Sequence, residues 1–292
     1  MQNQLVFQEQ AEIERLAVQN RLLSRYEMPV VEQLLSGGCG KAVLDIGCND
    51  GQKTVRLFEN AAVSRVIGLE YNEKLARQAQ ERFGNDKFSF HPCDVEAADF
   101  SAQLETLCSD ANAAQFDVIY LSFVLMHLSA PEKLLAQLKP FLKDTGCLLV
   151  IEPHDRVSLL EPDPQKLLPE FLDILEQDKY AGNRHVGAKL PQMLKDAGYG
   201  DVTLWNDGIS AGAGDPEQKK DIFRTFFSYL PEDVQILRSL EPENRRYQHW
   251  HSWLQEHYGQ LQGQILHNDS RIFMGLQMLS CRKAHDDTTA LA

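Results

Sequence analysis

Apolar residues recur at helical spacing near the start of the chain. Ile13, Leu16, Ala17, Leu22, Leu23, Val30, Val31, Leu34 and Leu35 predict a helix over 13–35, broken or kinked where Pro29 removes an N–H. A Gly-rich loop follows, and then the pattern switches between short apolar runs and amphipathic stretches. KAVLDIG (41–47), SRVIGLEY (64–71), KFSFHPCD (87–94), QFDVIYLSFV (115–124) and CLLVIEP (147–153) read as strands buried on both faces. Between them QKTVRLFENA, NEKLARQAQERFG, DFSAQLETLCSD and SAPEKLLAQLKPFLKDTG read as helices. Asn72 is the predicted cap and Gly84 the stop of the second of these. The fourth opens with a first-turn proline and is expected to run to Gly146.

Strands alternating with helices over 41–153 predict an α/β fold, a doubly wound, mostly parallel sheet with helices on both faces. After Pro153 the rhythm changes. The expected organisation is a helical cap segment over 1–40, a core over 41–153, and a lid insertion over 154–187. A core helix and sixth strand follow over 188–209, then an aromatic-rich helical lid over 210–268. The last core strand is placed at 269–284 and a frayed tail at 285–292.

Composition adds limits. The chain has 292 residues and a net charge of −13, which disfavours a surface that tracks nucleic-acid phosphates; only ENRRYQHWH offers a local basic patch. No apolar run approaches the roughly 20 residues of a membrane helix. The N-terminus lacks a basic start followed by an apolar block, so a cytoplasmic chain is expected. The six cysteines form no CxxC pair and read as reduced thiols, and no metal site is predicted. His249, His251 and His257 fall on different faces of one predicted helix and make no ligand set.

The chemistry begins at VLDIGCNDG. In a doubly wound sheet, ligands sit at the carboxyl ends of the strands. Gly47 lets the backbone approach a ligand and Gly51 permits a tight turn into the next helix. Asn49 stands between them, and asparagine is one of the few other residues enriched at positive φ. A dinucleotide fingerprint requires G-x-G-x-x-G, and this loop lacks its second and third glycines. A phosphate-cradling G-x-x-x-x-G-K-[ST] is also absent. Glu70, at the end of the second strand, can accept hydrogen bonds from both hydroxyls of a ribose. Asp94, at the end of the third, can accept from an exocyclic adenine amine. The competing reading of any one of these acids is a helix cap or a solvated loop. Three strand-end acids together with a glycine loop argue against coincidence.

These motifs together resemble the class I S-adenosylmethionine-dependent methyltransferases. VLDIGCNDG is similar to the family's first motif except at Asn49, VIGLEYN to its ribose-binding motif, and HPCDVE to its adenine-contacting one. FDVIYLSFVLMHL and LKPFLKDTGCLLVIEP are similar to the segments through its fourth and fifth strands. The resemblance covers 43–153 well and LPQMLKDAGYGDV with the last strand more loosely. It implies a Rossmann-like sheet of seven strands, the last antiparallel, with helical lid insertions, and S-adenosyl-L-methionine as cofactor. Carried over residue by residue, it implies that Gly47, Asn49 and Gly51 pass the methionine part and that Asp45 orients the loop or the ammonium. Glu70 would hold the ribose. Tyr71, Asp94 and Val95 would face the adenine, and Ser122 and Phe123 would border the sulfonium. In similar enzymes an N-terminal helix closes over the site, which brings in Arg15, Gln19 and Arg21 as partners for the cofactor carboxylate.

Methyl transfer is an in-line displacement, so a base is needed only if the nucleophile arrives protonated. His127 and His154, just past the fourth and fifth strands, are the candidate bases, His154 preferred. YLSF replaces the D/N-P-P-Y/F of the family's nucleobase amino-methylating members. Cys93 stands at the third strand, the wrong place for a cytosine-C5 nucleophile. The expected acceptor is a small apolar or aromatic metabolite, methylated on O or N, with Arg184, His185, Phe226, Phe227, Tyr229, Trp250 and Trp253 as candidate contacts. No nucleic-acid or membrane partner is expected. The alternatives are a protein or RNA methyltransferase and a non-catalytic module that binds the cofactor.

Overall fold

The computed structural model describes residues 10–60, 62–110, 114–178 and 181–284. The tail expected to fray, 285–292, and the first nine residues lie outside the described residues. In chain order the elements are α1 (Gln10–Leu35), β1 (Lys41–Ile46), α2 (Gln52–Phe58), β2 (Val63–Glu70), α3 (Glu73–Phe83) and β3 (Phe88–Pro92). Next come α4 (Phe100–Asp110), β4 (Phe116–Ser122), α5 (Pro131–Leu138), β5 (Leu142–Pro153), β6 (Leu159–Glu161) and α6 (Leu167–Gln177). The chain continues with α7 (Val186–Asp196), β7 (Tyr199–Ala211), α8 (Pro216–Phe226), α9 (Leu230–Leu240), α10 (Arg245–Leu266) and β8 (Arg271–Lys283). These form two compact units. The sheet unit comprises Tyr26–Pro153, His185–Asp207 and the chain from Leu276; the helical unit comprises the chain to Arg25, His154–Arg184 and Gly208–Gly275.

In the sheet unit the strand order is β3-β2-β1-β4-β5-β8, with β7 paired to β8. The first five strands run parallel, and β8 is antiparallel to β5 through Leu148↔Cys281 to Pro153↔Leu276. Between β7 and β8, Ala284 N donates to Gly198 O and Trp205 Nε1 donates to Ser280 Oγ. The chains therefore pass in opposite directions, and β8 is the one reversed strand of this unit. Among the described residues seven strands thus belong to the sheet unit; an eighth, β6, is a three-residue strand antiparallel to Arg271–Phe273 in the helical unit.

The register aligns the strand ends. Ile46 pairs with both Leu69 and Leu121, and Glu70 with Pro92. The residues one step beyond, Gly47, Glu70 and Ser122, therefore share one edge. β1 can occupy the centre because Ala42 to Ile46 are all buried. Helices cover the faces with stripes at helical spacing, such as Phe100, Leu104 and Cys108 on α4 and Val186, Leu190 and Leu194 on α7. Each such buried Leu or Phe contributes about 1.5–3 kcal/mol.

Two boundaries differ from the sequence expectation. α1 is helical through Pro29, with Val30 and Val31 buried beyond it. α5 stops at Leu138 and not at Gly146. Pro140 enters a 3₁₀ turn (Lys139–Phe141) and the chain rejoins the sheet at Leu142, opposite Phe116. The next pair is Val118↔Cys147, so residues 143–146 bulge out of the ladder. Lys143 Nζ in that bulge donates to Asp117 Oδ2 at 2.7 Å.

The helical unit builds its core from aromatics. The ring of Phe171 on α6 lies 4.9 Å from Phe227, which stacks on Phe223 at 5.8 Å, and Tyr258 of α10 joins at 5.7 Å from Phe223. Lys219 is buried, and its ammonium donates to His267 O and Asn268 O, the carbonyls just past α10.

One buried acid fixes the turn after β4. Glu152, fully buried on β5, accepts from the backbone N–H groups of Val124, Leu125 and Met126 at 2.9, 2.6 and 3.3 Å. Glu152→Ala leaves buried donors without an acceptor, and we expect a loss of about 3 kcal/mol in unfolding free energy. Glu152→Gln keeps one acceptor oxygen and should lose less. Urea unfolding of the two variants checks this; equal losses, or none, would contradict the assignment.

Candidate cofactor site

The loop after β1 is built on alternate left-handed residues. Gly47, Asn49 and Gly51 have φ of 75°, 52° and 77°. Asn49 tolerates this conformation because its side-chain Oδ1 accepts from the N–H of Asp50 at 2.7 Å. The two glycines have no substitute. A Cβ on Gly47 would lie 2.6 Å from Val124 Cγ2, and one on Gly51 would lie 3.0 Å from both Ala79 Cβ and Phe90 Cε1. The backbone N–H groups of Gly47 and Cys48 both donate to Leu69 O, which ties the loop to β2.

Glu70 closes the other side of the loop. Its Oε2 accepts from Asn49 N at 2.9 Å and its Oε1 from Asn72 N at 2.8 Å, so one carboxylate joins the β1 loop to the start of α3. Asn72 in turn caps α3 by accepting from the N–H groups of Lys74 and Leu75. Burial pushes the Glu70 carboxyl above its ordinary range, while the N–H groups of Asn72, Asn49 and Tyr71 pull it back. A carboxylate offers about four acceptor positions, so two backbone bonds leave capacity for hydroxyl donors. Tyr71, next in the chain, is 57% exposed. Asp94, exposed, accepts from Glu96 N through Oδ1, and Val95 packs half-buried on the core. Ser122 ends β4 and Phe123 follows it, both half-buried, Phe123 with φ 58°.

Beneath this edge lies a charged cluster that only Asp45 and Ser122 announce in the sequence reading. Asp45 is buried, and its Oδ2 accepts from Thr54 Oγ1 at 2.6 Å. Burial raises its pKa to about 7, against the pull of the Thr54 bond and the Lys53 charge, with Glu27 and Glu70 adding to the rise. Lys53 Nζ donates to Glu27 Oε1 and to Ser122 Oγ, both at 2.8 Å, and Ser122 Oγ donates to Glu27 Oε1 at 3.2 Å. The ammonium lies 5.4 Å from the centroid of the buried Tyr120 ring. Glu27, Lys53, Thr54 and Glu152 escape motif reasoning. For Glu27 a signal exists: it falls on the apolar stripe of α1 with Leu23, Val30 and Val31, where an acid is out of place.

The remaining predicted residues divide between the units. In the sheet unit, His127 is exposed on a 3₁₀ turn after β4, and His185 precedes α7. In the helical unit, Arg15 Nη1 donates to Thr225 O and to Gln19 Oε1, and its guanidinium lies 5.0 Å from the Tyr229 ring centroid. Arg21 pairs with Asp221. Arg184 makes a buried two-point ion pair with Asp155, at 2.7 and 3.0 Å. Burial raises the Tyr229 hydroxyl to about 12, and the charges of Arg184 and Arg15 oppose the rise. Phe226, Phe227, Trp250 and Trp253 are all buried, Trp253 donating to Glu170. His154 is half-buried, its N–H bonded to Gly275 O. Among the described residues no group of three or more His, Cys, Asp or Glu is arranged to hold a metal.

Residues 44–148 match a family described as a methyltransferase domain. The chain spans about half the length of the curated relatives it matches. It is 24% identical over 115 residues to the demethylmenaquinone methyltransferase of Chlamydia felis, covering 39% of this chain and 45% of that one. It is 29% identical over 170 residues to the tRNA U34 carboxymethyltransferase of Pseudomonas putida, covering 56% and 46%. The YcgJ protein of Bacillus subtilis shares the fold at a TM-score of 0.52 and 14% identity, over 89% of this chain and 99% of that one. The matched domain, the strand-end motifs and the reversed β8 agree: residues 44–148 match a methyltransferase domain, and the chain is similar to the class I S-adenosylmethionine-dependent methyltransferases.

Proposed function

We propose that this protein transfers the methyl group of S-adenosyl-L-methionine to an oxygen or nitrogen of a small metabolite, as in natural-product tailoring. The observation that carries the cofactor half is Glu70, held by two backbone N–H groups at the lip of a loop whose glycines admit no side chain. In this reading Glu70 accepts from the ribose hydroxyls, and Tyr71, Asp94 and Val95 meet the adenine. Gly47, Asn49 and Gly51 pass the methionine part, with Asp45 behind them, and Ser122 and Phe123 border the sulfonium. Arg15 and Gln19 would serve the cofactor carboxylate. The bound cofactor supplies an electrophilic methyl, so the protein's task is chiefly positioning.

The acceptor half is supported by the acidic surface, by the aromatic-rich helical unit and by the named substrate of the Chlamydia relative. Arg184, His185, Phe226, Phe227, Tyr229, Trp250 and Trp253 are the proposed acceptor contacts. If the acceptor is protonated, His127 or His154 takes the proton. The tRNA relative favours a second reading, in which RNA is the acceptor. Assays with labelled methyl donor against metabolite extract and total RNA in parallel separate the two. Label in small molecules supports the first reading, and label confined to RNA overturns it.

Two predictions follow from the site. By isothermal titration, Glu70→Ala should weaken S-adenosylmethionine binding by roughly 100-fold, the equivalent of losing two charge-assisted hydrogen bonds. NADH should not bind the wild type. The second concerns pH. The Asp45 carboxyl is raised in the folded chain to about 7 from 3.8, so the native state holds its proton longer than the unfolded state does. Its contribution to stability is therefore full below about 3.8 and is lost as pH rises through about 7. The stability of wild type relative to Asp45→Asn should fall between pH 4 and 7.5 in urea unfolding. A pH-independent difference would refute the assignment.

A further inference from the structure

The two edges of the sheet unit are finished differently. β3, at one end of the strand order, is five residues long. Its N–H groups at alternate positions are closed off. Phe88 N donates to Asn85 Oδ1, Phe90 N donates to Gln80 Oε1, and Pro92 has no N–H. Such an edge offers little to another strand. At the other end β7 is paired to β8 on one side. Its Tyr199–Asp207 portion belongs to the sheet unit. There four consecutive residues, Asp201 to Leu204, are exposed, so neither face of the strand is covered. Val202 and Leu204, two apart and therefore on one face, are 41% and 53% exposed. Among the described residues no side chain accepts from the backbone N–H groups of Val202, Thr203 and Leu204. Positions 199–211 contain no Pro, Lys or Arg, residues that commonly protect an edge. Asp201, with φ 49°, comes before the apolar pair and leaves it extended.

We infer that this edge is a self-association surface, on which β7 of one copy pairs antiparallel with β7 of a second copy about a two-fold axis at Thr203. The residues of the strand suit their own kind in that register. Val202 falls opposite Leu204 and Leu204 opposite Val202, so the exposed apolar pair of each copy is covered by that of the other. Thr203 meets Thr203, a favourable cross-strand pair. Asp201 falls opposite Trp205 and Asp207 opposite Tyr199, so no two acids face each other. A register centred on Leu204 would set Asp201 against Asp207 and is disfavoured. The inference does not depend on the methyl-transfer reading.

Sedimentation velocity of the full chain tests it. Wild type should pass from monomer to dimer between roughly 1 and 200 μM, the range expected of a small interface. Leu204→Glu, checked for folding by near-ultraviolet circular dichroism, adds an acid to an acidic edge and should weaken the dimer at least about tenfold. Leu240→Glu puts the same charge on a leucine of the helical unit that is 57% exposed, and should leave the dimer within about twofold. Hydrogen exchange of the wild-type amides at 202–204 should slow as the protein is concentrated through the same range. A wild type that stays monomeric to about 200 μM overturns the proposal. So does a dimer that Leu204→Glu leaves unchanged, or that the two variants weaken equally. If Leu204→Glu does not fold, the exchange measurement decides, and rates at 202–204 that ignore concentration overturn the proposal.

Discussion

The site depends on the register of β1. This strand is buried from Ala42 to Ile46 and lies between β2 and β4, with Ile46 level with Leu69 on one side and Leu121 on the other. A slip of one residue against β2 would break the bonds from the Gly47 and Cys48 N–H groups to Leu69 O. That single constraint sets the glycine loop, Glu70 and the end of β4 at one level. The two bonds from Glu70 to Asn49 and Asn72 then lock the loop to the start of α3, and Glu152 does the same for the turn after β4. The edge is thus held by acids that accept backbone N–H groups, so its geometry does not depend on long flexible side chains.

Most of the sheet is legible in the sequence because its strands are uninterrupted apolar runs and its helices carry caps. Asn72 caps α3 as its position implies, and Asn49 takes the left-handed conformation that its place between two glycines requires. The boundaries that fail do so for local reasons. At Pro29 the helix continues because Val30 and Val31 beyond it are buried, so tertiary packing outweighs the missing N–H. At 139–146 the polar run KPFLKDTG resembles a helix end, yet Leu142 is fully buried and rejoins the sheet, leaving the polar residues to bulge outward. A periodic reading cannot detect that, since the bulge is defined by what lies opposite it.

The site is legible in a different way. Strand-end acids announce themselves by position, and Glu70 follows from the length of β2 alone. Glu27, Lys53 and Thr54 are brought together by α1 and α2 meeting under the loop, and no spacing along the chain encodes that. The one available clue was a misfit, an acid on an apolar helical stripe. Such misfits mark functional positions because a buried charge is kept only where something offsets its desolvation. The aromatic residues of the helical unit show the opposite case. Phe171, Phe223, Phe227 and Tyr258 stack on one another, so their abundance is first of all that unit's hydrophobic core.

Charge also separates the cofactor classes that glycine spacing can only rank. A dinucleotide would bring the two negative charges of a pyrophosphate to the loop after β1. The groups waiting there are Glu27, Asp45 and Glu70, with Lys53 as the cation and Glu27 already bonded to it. Bringing a pyrophosphate up to Glu27 and Asp45 in a low-dielectric site is unfavourable, whereas Glu70 suits the ribose of either cofactor. A sulfonium cofactor with an ammonium end reverses every one of those signs. Asp45 sharpens the point: with its carboxyl raised to about 7 by burial, it is partly protonated near neutral pH, and a cation placed close to it would draw that proton off and strengthen its own binding. The same acids therefore fit this edge to a positively charged methyl donor.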